Sequence, residues 1–146
     1  MIKTLPVISL QGKMTELLLD GHNYVFDACH NSQGAEFFVR ELKLREIEPD
    51  FVICGMFRNK DHQKVFREVN RNIDAEWILI DTLGVRGFRS KALRDAFGGY
   101  GRCVSEFNDA RAYIKNKSSN PSTVLAFGSF NVLEQACASM NVQRIS

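Results

Sequence analysis

Several polar side chains that could take part in chemistry each follow a short apolar run of the sequence. Asp27, His30 and Asn31 come after one run, Lys60 follows a second, and Ser129 follows a third. Together these residues supply a carboxylate, an imidazole, an ammonium group and a hydroxyl. Such a set suits an anionic ligand that also carries a sugar or an amino group. If the fold brings these residues together, the sequence predicts a site for such a ligand.

The elements that would position these residues alternate between strand and helix. The runs Thr15–Leu19 and Asn23–Cys29 flank Asp20-Gly21, which predicts an antiparallel hairpin. After the hairpin, each apolar run is followed by a helical pattern, beginning with residues 33–46. Three apolar runs are typical of strands buried on both faces, and they are Phe51–Met56, Trp77–Asp81 and Thr123–Phe127.

This alternation predicts an α/β fold, a Rossmann-like three-layer sandwich. Its sheet should have about six strands, mostly parallel, with one antiparallel edge strand from the N-terminal hairpin. Shorter elements complete the pattern: a helix capped by Ser90, a weak strand at Arg102–Glu106, and helices around Tyr113 and Val132. Ligands of such sheets bind beyond the carboxyl ends of the strands, which is where the polar residues lie.

Each polar residue also has a purely structural interpretation. Asp27 and Ser32 could cap the first helix, and Asn131 could cap the last. Lys60 and Asp61 could form a solvated ion pair that contributes less than about 1 kcal/mol. The joint occurrence of these residues at strand ends favours a site, although each residue alone does not.

Length and composition limit the class of protein. The 146 residues are 45% hydrophobic and 25% charged, which is typical of one globular domain and unlike disordered chains. A net charge of +2 gives no basic excess for nucleic-acid binding, and no run is long enough for a membrane helix. The four dispersed cysteines lack a C-x-x-C pair and favour buried reduced thiols, so a cytoplasmic location is expected.

Common nucleotide and hydrolase motifs are missing from the sequence. Gly99 and Gly101 begin a G-x-G pattern, but Val104 stands where the third glycine of a dinucleotide fingerprint would be. No G-x-x-x-x-G-K-[ST] phosphate loop occurs, and Ser129 lacks the flanking glycines of a nucleophile elbow. An independent site for dinucleotides, ATP hydrolysis or serine-hydrolase chemistry is therefore not expected.

Three motifs together resemble one family. The segments FDACHN (26–31), GMFRNKD (55–61) and GSF (128–130) are similar to its D-x-x-H-N, G-x-x-x-x-K-D and G-S-[FLT] motifs. That family is the C-terminal domain of folylpolyglutamate synthase/dihydrofolate synthase, within the Mur ligase superfamily. The resemblance covers about residues 11–140 of a single domain, 1–146, and implies that the N-terminal ATP-binding domain is absent from this chain.

The resemblance implies ATP-dependent ligation of L-glutamate to a folate or dihydropteroate carboxylate through an acyl phosphate. Lys60 and Ser129 would bind the glutamate carboxylates, and His30 would lie beside the reacting phosphate as the catalytic residue. The N-terminal ligase domain would be the partner and would hold most of the ATP and magnesium, so no metal ligand is assigned to this chain.

Other roles implied by the resemblance concern the nucleotide. Asp27 would accept hydrogen bonds from the ribose of ATP, and Asn31 would also lie at the nucleotide. Lys13 stands where relatives carry an arginine on the ATP phosphates, and lysine lacks the bidentate fork of that arginine. Either Arg86 or Arg89 would match an arginine that often follows the third strand.

Three hypotheses follow from the sequence. The first is that the chain is part of a folylpolyglutamate synthase-like ligase and is inactive by itself because the phosphate loop is missing. The second is a stand-alone, non-catalytic module that binds a nucleotide or an amino acid. The third, a domain of a murein-precursor ligase, fits the G-x-x-x-x-K-D and G-S-F details less well.

Overall fold

Alternating strands and helices form the architecture, in the order that the sequence predicts. The computed structural model describes residues 7–9, 14–29, 31–140 and 143–145. The strands are β1 (Val7–Ser9), β2 (Thr15–Leu19), β3 (His22–Asp27), β4 (Phe51–Gly55), β5 (Glu76–Leu79), β6 (Arg102–Cys103), β7 (Thr123–Gly128) and β8 (Gln143–Ile145). The helices are α1 (Ser32–Leu44), α2 (His62–Asn70), α3 (Ser90–Ala96), α4 (Phe107–Lys117) and α5 (Phe130–Met140).

Six of the strands form one sheet in the order β2-β3-β7-β4-β5-β6. All neighbours in it are parallel except β2 and β3, which form the antiparallel hairpin at one edge. The predicted fold class is therefore confirmed, including the antiparallel edge strand. The remaining strands, β1 and β8, pair in parallel as a separate two-stranded sheet that the sequence analysis did not predict.

Helices cover both faces of the six-stranded sheet and give the three layers. Buried side chains of α1, α2 and α3 pack on one face, and those of α4 and α5 pack on the other. The central strand β4 is buried along its whole length, so its apolar residues alternate between the two cores. Continuous apolar runs are typical of parallel strands that are covered on both sides.

Three details of the prediction are corrected. Ser90 is the first residue of α3 and not its N-cap; Arg89 holds that position, and the Ser90 N–H donates to Asp81 Oδ1 over 2.7 Å. The predicted strand at Arg102–Glu106 is confined to Arg102–Cys103. The cysteines are free thiols, but Cys103 is only partly buried. None of the helices in the described ranges is long and apolar enough to cross a membrane.

Candidate ligand-binding site at the carboxyl edge of the sheet

Three adjacent strands in the middle of the sheet end at the same edge. These are β3, β7 and β4, and their last residues are Asp27, Gly128 and Gly55. Asp27 is in register with Phe127, and Gly55 is in register with Gly128. Because neighbouring strands lie about 4.8 Å apart, the segments that follow these three strands emerge side by side.

The segments after β4, β5 and β7 enclose a small pocket of about 170 Å³. Lys60 and Ser129, the two residues predicted to bind glutamate, both line it. Phe57, Phe130 and Arg86 complete the wall. Sequence reasoning did not single out the two phenylalanines, although each lies within a segment that it identified, GMFRNKD or GSF.

The Ser129 hydroxyl is held in a defined place but makes no hydrogen bond within the part of the chain that the structure describes. The Ser129 N–H donates to the Gly55 carbonyl oxygen over 3.0 Å, which fixes the backbone against the end of β4. Its side chain is buried, and Oγ has no hydrogen-bond partner among the described residues. A buried hydroxyl without a hydrogen-bond partner lowers the stability of the fold. Rotation of the Ser129 side chain about χ1 would let Oγ bind a polar ligand in the pocket, which would remove that cost.

Lys60 and Arg86 give the pocket its positive charge. Asp61, the neighbour of Lys60, forms its ion pair with Lys64 over 3.4 Å, so the Lys60–Asp61 pair considered from the sequence does not form. The Arg86 guanidinium lies over the ring of Phe57, 4.8 Å from its centroid. In the part of the chain that the structure describes, no carboxylate forms an ion pair with either cation.

The structure also distinguishes the two arginines that the sequence left as alternatives. Arg86 lines the pocket with Lys60 and Ser129, whereas Arg89 is the N-cap residue of α3 and does not line it. The pocket therefore contains two cations and one hydroxyl, which is the donor set that a ligand with two carboxylates requires.

Asp27 and Asn31 line a second cleft, of about 400 Å³, beyond the end of β3. Asp27 Oδ1 accepts the Cys29 N–H over 2.8 Å. Asn31 is the N-cap of α1, and its Oδ1 accepts the Gly34 N–H over 2.7 Å. The first helix is thus capped by Asn31 and not by Asp27 or Ser32, and the amide NH₂ of Asn31 has no hydrogen-bond partner among the described residues.

Burial raises the pKa of Asp27 to about 6, although the hydrogen bond from the Cys29 N–H acts in the opposite direction. Above that pH the carboxylate is an acceptor only, which suits the hydroxyl donors of a ribose. The nucleotide role that the sequence motifs imply for Asp27 stays a prediction. Among the residues described, no group of three acidic, histidine or cysteine side chains could hold a metal ion.

The raised pKa of Asp27 predicts a pH-dependent stability. Because the usual pKa is 3.8, the folded chain binds this proton more tightly than the unfolded chain does. The Asp27 contribution to the free energy of unfolding therefore grows as the pH falls from about 7 to 4, and is constant below 3.8. We expect Asp27→Asn to be more stable than the wild type by about 2 kcal/mol at pH 8.

Urea denaturation of both proteins from pH 4 to 8 measures this difference. The gap should close towards pH 4, where the wild-type carboxyl is protonated and resembles the amide. Other carboxylates contribute equally to both proteins and cancel. A gap that is constant across the range would contradict the assignment of the raised pKa to Asp27.

Two of the residues assigned by the sequence, His30 and Lys13, lie outside the described residues. Their roles beside the reacting phosphate and on the ATP phosphates stay predictions. The other four divide between two adjacent clefts, Asp27 and Asn31 in one and Lys60 and Ser129 in the other.

Comparison with known proteins gives matches only at the level of structure. No family model matches the sequence, and no curated protein matches it significantly. Among solved structures, bifunctional folylpolyglutamate synthase/dihydrofolate synthase from Yersinia pestis, complexed with AMPPNP and Mn ion, is similar with a TM-score of 0.78 and 20% identity. The match covers 91% of this chain and 32% of that chain.

Two further structures agree with this match. Escherichia coli FolC in complex with DHPP and ADP has a TM-score of 0.77 and 21% identity, over 90% of this chain and 31% of that one. Folylpolyglutamate synthase from Thermotoga maritima has a TM-score of 0.70 and 22% identity, over 89% and 31%. This chain therefore spans about a third of the length of these relatives and has the fold of that part of folylpolyglutamate synthase/dihydrofolate synthase, the family that its motifs resemble.

Proposed function

We propose that this chain is the C-terminal domain of an ATP-dependent ligase that joins L-glutamate to the carboxylate of a folate or dihydropteroate. In this reaction ATP phosphorylates the carboxylate, and the glutamate amine then displaces phosphate from the acyl phosphate to form an amide. The fold similarity to folate ligases supports the proposal, as does the order of the three motifs along the chain.

The observation that carries the proposal is the pocket shared by Lys60, Arg86 and Ser129. Glutamate has two carboxylates, and the pocket offers two cations that have no carboxylate partner in the described structure. Lys60 supplies a point charge and Arg86 a planar fork, so each can hold one carboxylate. Ser129 Oγ can donate to a carboxylate oxygen and thereby gain the partner that it lacks.

The cleft beside β3 would hold the nucleotide end of the reaction. Asp27 accepts hydrogen bonds from the ribose hydroxyls, and the Asn31 amide is the neighbouring donor. We assign to His30 the position beside the reacting phosphate and the glutamate, and to Lys13 a contact with the ATP phosphates. ATP and magnesium are held mainly by the N-terminal ligase domain, the proposed partner of this chain.

Because the site is divided between two domains, we expect the isolated chain to be inactive. Purified chain should incorporate no labelled glutamate into dihydropteroate or tetrahydrofolate when ATP and magnesium are present. Addition of an N-terminal domain carrying the phosphate loop should restore incorporation. Ligation by the isolated chain would contradict the divided site, and failure of every folate acceptor after reconstitution would contradict the proposed reaction.

Calorimetry separates this proposal from a stand-alone binding module. Half of a site leaves most of the ligand in water, so we expect the isolated chain to bind ATP, ADP and L-glutamate with dissociation constants of about 1 mM or weaker. Binding of any of them in the micromolar range or tighter would favour the module, because a complete site would then be present in this chain.

A further inference from the structure

Residues 82–88, which we call the Thr82 loop, lie between β5 and α3 and include Arg86. Its two ends are joined by Thr82. The Thr82 N–H donates to the Phe88 carbonyl oxygen over 3.1 Å, and the Phe88 N–H donates to Thr82 Oγ1 over 2.8 Å. One residue therefore closes the loop through both its backbone and its side chain.

The Thr82 hydroxyl also fastens the loop to the sheet. While Oγ1 accepts from Phe88, it donates its own proton to the Met56 carbonyl oxygen over 3.1 Å, just beyond the end of β4. Thr82 is 5% exposed, so water cannot readily replace either bond. The Arg58 N–H adds a second link by donating to the Arg86 carbonyl oxygen over 3.0 Å.

Asn131 at the start of α5 provides a third link. Its Oδ1 accepts the Leu83 N–H over 2.9 Å, and also accepts from Gln135 Nε2 over 2.8 Å. Gln135 Nε2 in turn reaches the Asp81 carbonyl oxygen over 2.8 Å. Asn131 is therefore not the cap of the last helix that the sequence allowed; its side chain joins that helix to the Thr82 loop.

Apolar packing holds the Thr82 loop at its last residue, where Phe88 packs against the core and its ring stacks on that of His62, 4.7 Å between centroids. Val85 is 89% exposed and Leu83 is 62% exposed, so the middle of the loop is held by the hydrogen bonds described above and not by apolar packing. Arg86 follows Val85 in this part of the loop, and its guanidinium lies over Phe57 in the pocket wall. The position of that guanidinium therefore depends on bonds made by residues that do not line the pocket.

We propose that Thr82 and Asn131 are positioning residues that hold Arg86 at the pocket and so set its preference for an amino acid with a second carboxylate. The inference rests on the proposed function for the identity of the ligand, but the positioning itself is a property of this chain. An arginine held in place loses less entropy on binding than a mobile one, so its contribution to affinity is larger.

The positioning is tested on the isolated chain by the NMR signal of the Arg86 Nε–H, which the Phe57 ring current shifts from its free value. Thr82→Val removes both hydroxyl bonds while keeping the shape, and Asn131→Leu removes the acceptor for Leu83. We expect both variants to move the signal towards the free value. Thr82→Ser keeps a hydroxyl, so its Arg86 signal should lie at the wild-type value. The exposed control Val85→Ala should leave the Arg86 signal unchanged.

An unchanged Arg86 signal in both Thr82→Val and Asn131→Leu would overturn the proposal. The backbone amide signals of the sheet serve as the measure of folding. Should Thr82→Val fail to fold, Asn131→Leu carries the same test, because Asn131 lies on the other side of the loop.

The consequence for selectivity is measured in the reconstituted ligase. We expect Thr82→Val to raise KM for L-glutamate by about 10-fold with kcat changed less than 2-fold, and to leave kcat/KM for L-glutamine, which lacks the second carboxylate, unchanged. A shifted Arg86 signal with an unchanged KM would overturn the selectivity role. Absence of ligation by the wild-type reconstituted enzyme contradicts the proposed function instead, and the NMR result remains a separate test of the loop.

Discussion

Replacement of Gly128 by alanine is expected to lower the free energy of unfolding by about 4 kcal/mol, enough to unfold a chain of ordinary stability. A Cβ at this position would lie 1.8 Å from the Gly55 carbonyl oxygen, in the middle of the sheet. Its φ of +129° is also a conformation that side chains disfavour. Neither strand can move aside, because β4 and β7 are both buried and paired along their length.

Gly98→Ala is the matched control for this prediction. Gly98 also has a positive φ, +73°, but an added Cβ would meet nothing within 4 Å. Gly98→Ala should therefore lower the free energy of unfolding only by the backbone strain, about 1 kcal/mol. Urea denaturation of the three proteins gives the comparison, and similar losses for both variants would show that contact with Gly55 is not the cause.

The second large effect is expected at Lys60. In the reconstituted ligase, Lys60→Met should raise KM for L-glutamate by about 100-fold, because a carboxylate would then be desolvated without its cation. Steady-state kinetics at saturating ATP and folate measure the change. Lys91→Met is the control, since Lys91 is an exposed lysine on α3 that does not line the pocket.

Ser129→Ala separates binding from folding in the same assay. It removes a buried hydroxyl that has no partner in the described structure, so the chain should lose no stability and could gain about 1 kcal/mol. Its KM for glutamate should nevertheless rise several-fold. An unchanged KM in both Lys60→Met and Ser129→Ala would contradict the assignment of this pocket to glutamate.

The sequence predicts most of the fold because its strongest patterns coincide with the buried elements. The runs at 51–56 and 123–127 are continuous and apolar, as strands covered on both faces must be, and their ends are within a residue of the observed ones. The strands β1 and β8 have three residues each, which is too short for any period to be recognised. Ser90 is not the cap that its residue type predicts, because its N–H donates to the side chain of Asp81, nine residues away in the sequence.

The site is predictable to the extent that topology determines it. Lys60 and Ser129 meet because they follow adjacent parallel strands. The alternation of strands and helices predicts that both strands end at the same edge, but the insertion of β7 beside β4 is a matter of strand order, which the alternation does not determine. Arg86 and Thr82 are different, because the path of the 82–88 loop depends on side-chain bonds to Met56 and Asn131 that have no pattern in the sequence. The sequence marks this loop only by Thr82, directly after the apolar run 77–81, and by glycines at positions 84 and 87.

The pairing of β1 with β8 has a consequence for the order of folding. Val7 is in register with Gln143, so the pair closes a loop that includes nearly the whole chain. Closure of so long a loop costs entropy that three parallel residue pairs cannot offset, unless the intervening chain is already compact. We therefore expect β1 and β8 to pair last in folding and to separate first in unfolding, while the six-stranded sheet that carries both clefts stays intact.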